Sequence, residues 1–73
     1  MRLSDIKVGD IIHYDRAPVR VIKEKSNYSS MFELKLSDLA EYWNDDFTDK
    51  SGDSNMDIVK VERTTVEVIW TQD

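Results

Sequence analysis

Apolar and polar residues trade places at every second position in stretch after stretch, and no feature constrains the fold of this chain more. Between Met31 and Leu36, Phe32, Leu34 and Leu36 alternate with Glu33 and Lys35. Successive side chains of a strand point to opposite faces, so this period predicts strands rather than helices. Five are expected: Ile11–Tyr14, Val19–Lys25, Met31–Leu36, Met56–Glu62 and Thr64–Trp70. In the second, Val19, Val21, Lys23 and Lys25 share a face. In the fourth, Ile58, Lys60 and Glu62 oppose Val59 and Val61, and in the fifth Val66, Val68 and Trp70 oppose Thr65, Glu67 and Ile69.

The connections carry turn chemistry. Leu3 to Lys7 reads as one entry turn with Ser4 or Asp5 able to cap it. Val8-Gly9-Asp10 turns into the first strand. Asp15 to Pro18 is a hairpin connection, because Pro18 cannot donate to a central ladder. Ser26 to Ser30 and Arg63-Thr64 are further turns. Ser37 to Trp43 predicts a short helix ending near Asn44, with Asp38 and Glu41 at the spacing of a capping box. Residues 45–55, rich in Asp, Ser, Thr, Gly and Asn, predict a mobile loop. The whole reads as a single mainly β (all-β) domain, 1–73, with one short helix: a small SH3-like barrel or a strongly curved five-stranded antiparallel sheet.

Seventy-three residues stand near the lower limit for a self-sufficient core. The chain has no cysteine, which excludes disulfides and thiolate metal sites and fits a reducing cytoplasm. No secretory or membrane-spanning apolar run is present, so the expected location is cytoplasmic with no membrane partner. A small sheet leaves open edges, and a symmetric homodimer would protect them.

Charge is distributed unevenly. Residues 1–36 carry five acids against seven Lys and Arg, a net +2, while residues 37–73 carry ten against three, a net −7. Asp38, Glu41, Asp45, Asp46, Asp49, Asp53 and Asp57 place seven carboxylates within twenty residues, opposed only by Lys50. Repulsion among them weakens a compact state, so a basic partner accounts for the concentration better than folding does. The plainer account is solubility. Tyr42, Trp43 and Phe47 sit among the acids, however, and a solubilising segment needs no rings. If residues 38–45 are helical, Asp38, Glu41 and Asp45 form an anionic ladder with rises of roughly 4.5 and 6 Å, comparable to phosphates along a strand. Asp46, Asp49, Asp53 and Asp57 would extend it, with Trp43 and Phe47 as aromatic anchors. Trp43 is equally suited to cap the end of a barrel.

Residues for chemistry are scarce. His13 is the only histidine and lies within a strand, so no catalytic triad assembles and no catalytic residue is assigned. Asp45 and Asp46 lie in a polar loop where nothing would separate their pKa values. Gly9 and Gly52 are too few for a phosphate loop. Aligning Gly52 with the glycine of a calcium loop puts Phe47 and Ile58 at ligand positions, so neither a metal nor another cofactor is expected. Arg16, Arg20, Lys23, Lys25 and Lys35, with Tyr14 and Tyr28, could make a modest nucleic-acid face. Pairing with neighbouring acids is the simpler role, and no direct nucleic-acid binding is expected.

Lys7-Val8-Gly9-Asp10-Ile11-Ile12-His13-Tyr14, the turn through Pro18 and Val19-Arg20-Val21-Ile22-Lys23-Glu24 resemble the opening of SH3-like barrels, in particular KOW-type domains of translation and transcription factors. Asp15-Arg16-Ala17 replaces the usual glycine-bearing turn, and the acidic half has no counterpart in those basic domains. In size, acidity and lack of cysteine the chain is similar to DNA-mimicking inhibitors that bacteriophages make against host proteins. That resemblance implies a non-enzymatic protein, acting in the host bacterial cytoplasm, that covers the DNA-binding surface of a basic partner such as the nucleoid protein HU. The KOW resemblance implies instead a module that docks on RNA polymerase or the ribosome.

Overall fold

The computed structural model describes residues 1–15, 17–24, 33–63 and 67–72. Five strands form one sheet: β1 (Ile11–Tyr14), β2 (Ala17–Ile22), β3 (Glu33–Lys35), β4 (Ile58–Arg63) and β5 (Glu67–Thr71), in the order β3-β2-β1-β4-β5. The protein is mainly β, with one short helix, α1 (Leu39–Tyr42), and single 3-10 turns at Leu3–Asp5, Leu36–Asp38 and Ser54–Met56. Among the described residues the sheet is open, with β3 and β5 at its edges.

The entry to β1 follows from turn chemistry. The amide of Asp10 donates to the carbonyl of Lys7, and Gly9, third of the four residues, has φ +98°. That conformation favours glycine, which lacks a Cβ to clash. The β1–β2 hairpin pairs Ile12 with Val19 and His13 with Pro18. Pro18 falls inside β2 rather than in the connection. Among the described residues β3 pairs with residues 20–22 and not with Pro18, which has no N–H to offer a ladder.

Three expectations change. The sheet is not wholly antiparallel, because β2 and β3 run parallel, Val21 beside Leu34. The third strand stops at Lys35, and Leu36 begins a 3-10 turn and is exposed instead of facing inward. The fourth and fifth strands do not alternate simply. The register with β1 shifts between His13 and Tyr14, so Val59 is left as an extra residue on β4. Ile58 and Val61 therefore both face the core. A second shift leaves Ile69 extra on β5 and turns Val68 outward. A bulge bends its strand and re-aims the side chains beyond it, which strict alternation cannot anticipate. Residues 25–32 and 64–66 lie outside the described residues, and with them the expected turns at Ser26–Ser30 and Thr64 and the inward placement of Phe32.

The core lies on one face of the sheet. Ile12, Val19, Val21, Ile58 and Val61 supply its floor, while Leu3, Ile6, Leu39, Trp43 and Phe47 cover it from the entry turn, α1 and the segment after α1. One ion pair closes the seam between the first turn and β4. Asp10, 1% exposed, accepts from Nε and the second guanidinium nitrogen of Arg63, each at 2.9 Å, and from the Lys7 amide at 2.8 Å. Burial alone would raise the Asp10 pKa. The Arg63 and Lys7 hydrogen bonds and the charges of both residues outweigh it and hold the carboxyl below its ordinary value. No helix among the described residues is long and apolar enough to cross a membrane.

Candidate partner interface

The acidic segment is held together from within, not left as the mobile loop its composition suggests. α1 ends at Tyr42, and Trp43 is extended, with φ −127° and ψ 148°. The chain then forms a tight hairpin: the Asn44 amide donates to the Thr48 carbonyl at 2.8 Å, the Phe47 amide to the Asn44 carbonyl at 3.0 Å, and Trp43 bridges Asp49. Phe47 sits in the left-handed region, φ +74°, where glycine usually closes such a three-residue loop. The strain is on the order of 1–3 kcal/mol. Burying the ring, 2% exposed and 4.4 Å between centroids from Trp70, recovers a similar amount, roughly 1.5–3 kcal/mol. Packing against the core therefore decides the conformation of the hairpin tip.

Carboxylates do the rest of the local work. Asp46 accepts from the amide of Thr48 at 3.1 Å and from its hydroxyl. Asp49 accepts from the amides of Ser51 and Asp53, at 3.0 and 3.3 Å, and from the Ser51 hydroxyl. Asp53 caps the 3-10 turn by accepting from Asn55, and Asp57 accepts from the amide of Asp49 at 2.8 Å. Short polar side chains favour such local bonds to nearby amides. The Thr48 hydroxyl and amide lower the pKa of Asp46, and the Ser51 hydroxyl, with the Asp53 and Ser51 amides, lowers that of Asp49. Among the described residues one ion pair reaches the cluster, Arg2 Nε to Asp45 at 3.9 Å, with both side chains exposed. Pairs of that kind contribute little.

Several expected site residues are thereby reassigned. Trp43 and Phe47 are core residues, 3% and 2% exposed, and present no surface to a partner. The indole of Trp43 donates to the Met56 carbonyl at 2.8 Å. The anionic ladder does not form, because the helix ends before Asp45. Asp38 is half-buried ahead of α1 and makes no cap bond, so the expected capping box is absent. Asp49 and Asp57 are half-buried, whereas Glu41, Asp45, Asp46 and Asp53 are exposed. Asp49, Asp53 and Asp57 are tied to one another by hydrogen bonds, with Asp45 and Asp46 at the tip of the adjoining hairpin.

Elsewhere, His13 bonds Glu62 across β1 and β4. Arg20 stands opposite Glu33 in the register of β2 and β3. Arg16, Lys25 and Tyr28 lie outside the described residues. Among the described residues no three His, Asp or Glu side chains are grouped as metal ligands. The Asp10–Arg63 pair escaped the sequence reading, since a buried aspartate fifty-three positions from its arginine leaves no local signal. Comparison with protein-family models, with curated proteins and with solved structures finds no match.

Proposed function

We propose that the protein is a non-enzymatic binding protein whose acidic excursion, residues 44–57, mimics DNA and covers the nucleic-acid-binding surface of a basic protein such as HU in the bacterial cytoplasm. The observation that carries the reading is how the carboxylates are satisfied. Asp46, Asp49, Asp53 and Asp57 bond to amides and hydroxyls of their own segment instead of to lysine or arginine, so their shape is held while their charge stays uncompensated, and Asp45 meets only the exposed Arg2 at 3.9 Å. Proteins that bind DNA meet phosphates with Lys and Arg largely without regard to sequence, and an array of fixed carboxylates offers those side chains an equivalent target. Glu41, Asp45, Asp46 and Asp53 are the proposed contacts, with Asp49 behind them and Asp38 and Asp57 adding to the field. Closure of the sheet into an SH3-like barrel and pairing of two copies through open edges belong to the same proposal. The bulges at Val59 and Ile69 provide curvature, and the open edges provide the pairing sites.

The test neutralises charge without removing hydrogen-bond acceptors. Asn at positions 46, 49 and 53 keeps an oxygen for each local amide, and Asn at position 45 removes the charge that meets Arg2. By titration calorimetry against purified HU, the native chain should bind tightly at low salt and much more weakly at high salt, and the fourfold Asn variant should lose binding while its circular dichroism is unchanged. Undiminished binding by that variant would refute the proposal.

A further inference from the structure

We infer that a recess beside the hairpin tip holds an apolar side chain of the partner, the wedge that DNA-bending proteins insert between base steps. The inference rests on the DNA-mimicry reading and names a second contact for it. The recess, about 280 Å³, is walled by Leu3, Ile6, Leu36, Leu39 and Ala40, with Ser4 and Asp45 as its polar members. Leu3, Ile6 and Leu39 belong to the core and form its floor. Leu36, 38% exposed, and Ala40 stand at the surface, so an incoming side chain meets them directly. Their positions follow from local structure, since Leu36 opens a 3-10 turn where β3 ends and Ala40 lies in α1. The recess is continuous with the acidic excursion. The Leu3 amide donates to the Asp45 carbonyl at 3.0 Å, which ties the entry turn to the start of the hairpin, and Asp45 itself lines the recess. One residue thus belongs both to the recess and to the proposed charge contacts.

Three arguments select the occupant. The charged member of the wall is an acid, Asp45, so charge complementarity favours an apolar group carried on a basic chain. Arg2 meets Asp45 at 3.9 Å, but both side chains are exposed, and so weak a pair yields to an incoming lysine or arginine. Next, charge steers a partner and sets its register, while desolvated apolar anchors hold it. Trp43 and Phe47 are buried in the core and offer a partner no ring, so the apolar contact has to come as a recess that receives a side chain. Finally, proteins that bend DNA combine Lys and Arg for the phosphates with an apolar side chain pushed between base steps. DNA must unstack to admit that wedge, whereas the recess is already open. A carboxylate beside an apolar recess therefore presents, preformed, both features that such a protein finds in bent DNA. The aliphatic walls and the volume suit a single Pro, Leu, Ile or Met side chain and not an extended molecule.

The test is titration calorimetry of the full chain against purified HU at low and high salt, with oligolysine, which carries charge but no wedge, as the comparison ligand. Ala40→Phe fills the recess and Leu36→Ser strips its rim. Both positions are exposed, and circular dichroism checks that each variant folds. Each should weaken HU binding about tenfold at both salt concentrations, leave the salt dependence unchanged, and leave oligolysine binding as it is in the native chain. HU with its inserting side chain cut back to Ala should bind the native chain about tenfold more weakly and should not distinguish it from Ala40→Phe, since the two changes remove one contact. Undiminished HU binding by either recess variant, additive losses in that cycle, or an equal loss of oligolysine binding would overturn the inference. So would Ala40→Phe splitting a dimer of the native chain with HU affinity intact, which would give the recess to a second copy. The recess and the mimicry can fail separately: mimicry falls if the fourfold Asn variant binds HU undiminished, and the recess falls if Ala40→Phe or Leu36→Ser does. Absence of HU binding by the native chain would end both.

Discussion

Aspartate does two opposite jobs in this molecule. At the seam between the first turn and β4, Asp10 is buried and grips one guanidinium with both oxygens. In the excursion, Asp46, Asp49, Asp53 and Asp57 bond to backbone amides within a few residues of themselves or of one another, and form no ion pair with a cation among the described residues. The first arrangement uses its charge up inside the fold. The second uses only the acceptor geometry and leaves the charge for solvent or a partner. A carboxylate can therefore shape a segment without being neutralised, and a high density of acids need not mean an unstructured loop.

The comparison can be broken most forcefully at the residue that joins the excursion to the core. Phe47→Ala removes the ring packed on Trp70 and leaves the left-handed strain in place. It should cost about 3–5 kcal/mol in urea unfolding, a large share of the stability available to so small a domain. A minor loss would show that the hairpin tip holds itself without the core. Next in size is Asp10→Ala, expected to cost about 2–4 kcal/mol, towards the lower end for a broken buried pair because the Arg63 side chain is 35% exposed. A neutral result would remove the seam from the account.

The same seam makes a pH prediction. The folded-state pKa of Asp10 lies below its unfolded value, so its contribution is complete above the unfolded value, near 4. It is lost as pH falls through the folded value. Melting temperature should hold from neutral pH to about 5 and then decline, and Asp10→Asn should flatten that decline. An unaltered acid limb in the variant would assign the titration elsewhere. Smallest is Gly52→Ala. Gly52 has φ +85°, and nothing lies within 4 Å of an added Cβ, so only the backbone conformation opposes the change. A cost of about 1 kcal/mol by chemical denaturation is expected. A stabilising result would mean that the turn following Asp49 relaxes freely.

Much of the sheet was legible because period two is imposed by the backbone itself. Ile11–Tyr14 appears with its expected bounds, and the inward sets Val19 with Val21 and Leu34 follow the pattern. Legibility failed where a non-local event intervened. The two bulges place Val59 and Ile69 out of phase, and the parallel pairing of β2 with β3 has no signature in either strand. Within the candidate site, the density of acids could be read directly, but the roles of the rings could not. Trp43 and Phe47 sit among aspartates in sequence and face the core in space, because a chain that turns sharply can bury one residue and expose the next. Aspartates spaced two residues before Thr48, Ser51 and Asn55 were the available signal that the segment folds on itself.

The account rests on uncompensated charge held in a fixed shape, and displacement of DNA tests that most directly. Fluorescently labelled duplex is bound to HU, and its anisotropy is followed as this protein is added at low salt. The native chain should release the duplex at near-stoichiometric ratios, and the variant with Asn at 45, 46, 49 and 53 should leave it bound. DNA that stays on HU in the presence of excess native protein, or that both proteins release equally, would contradict the account.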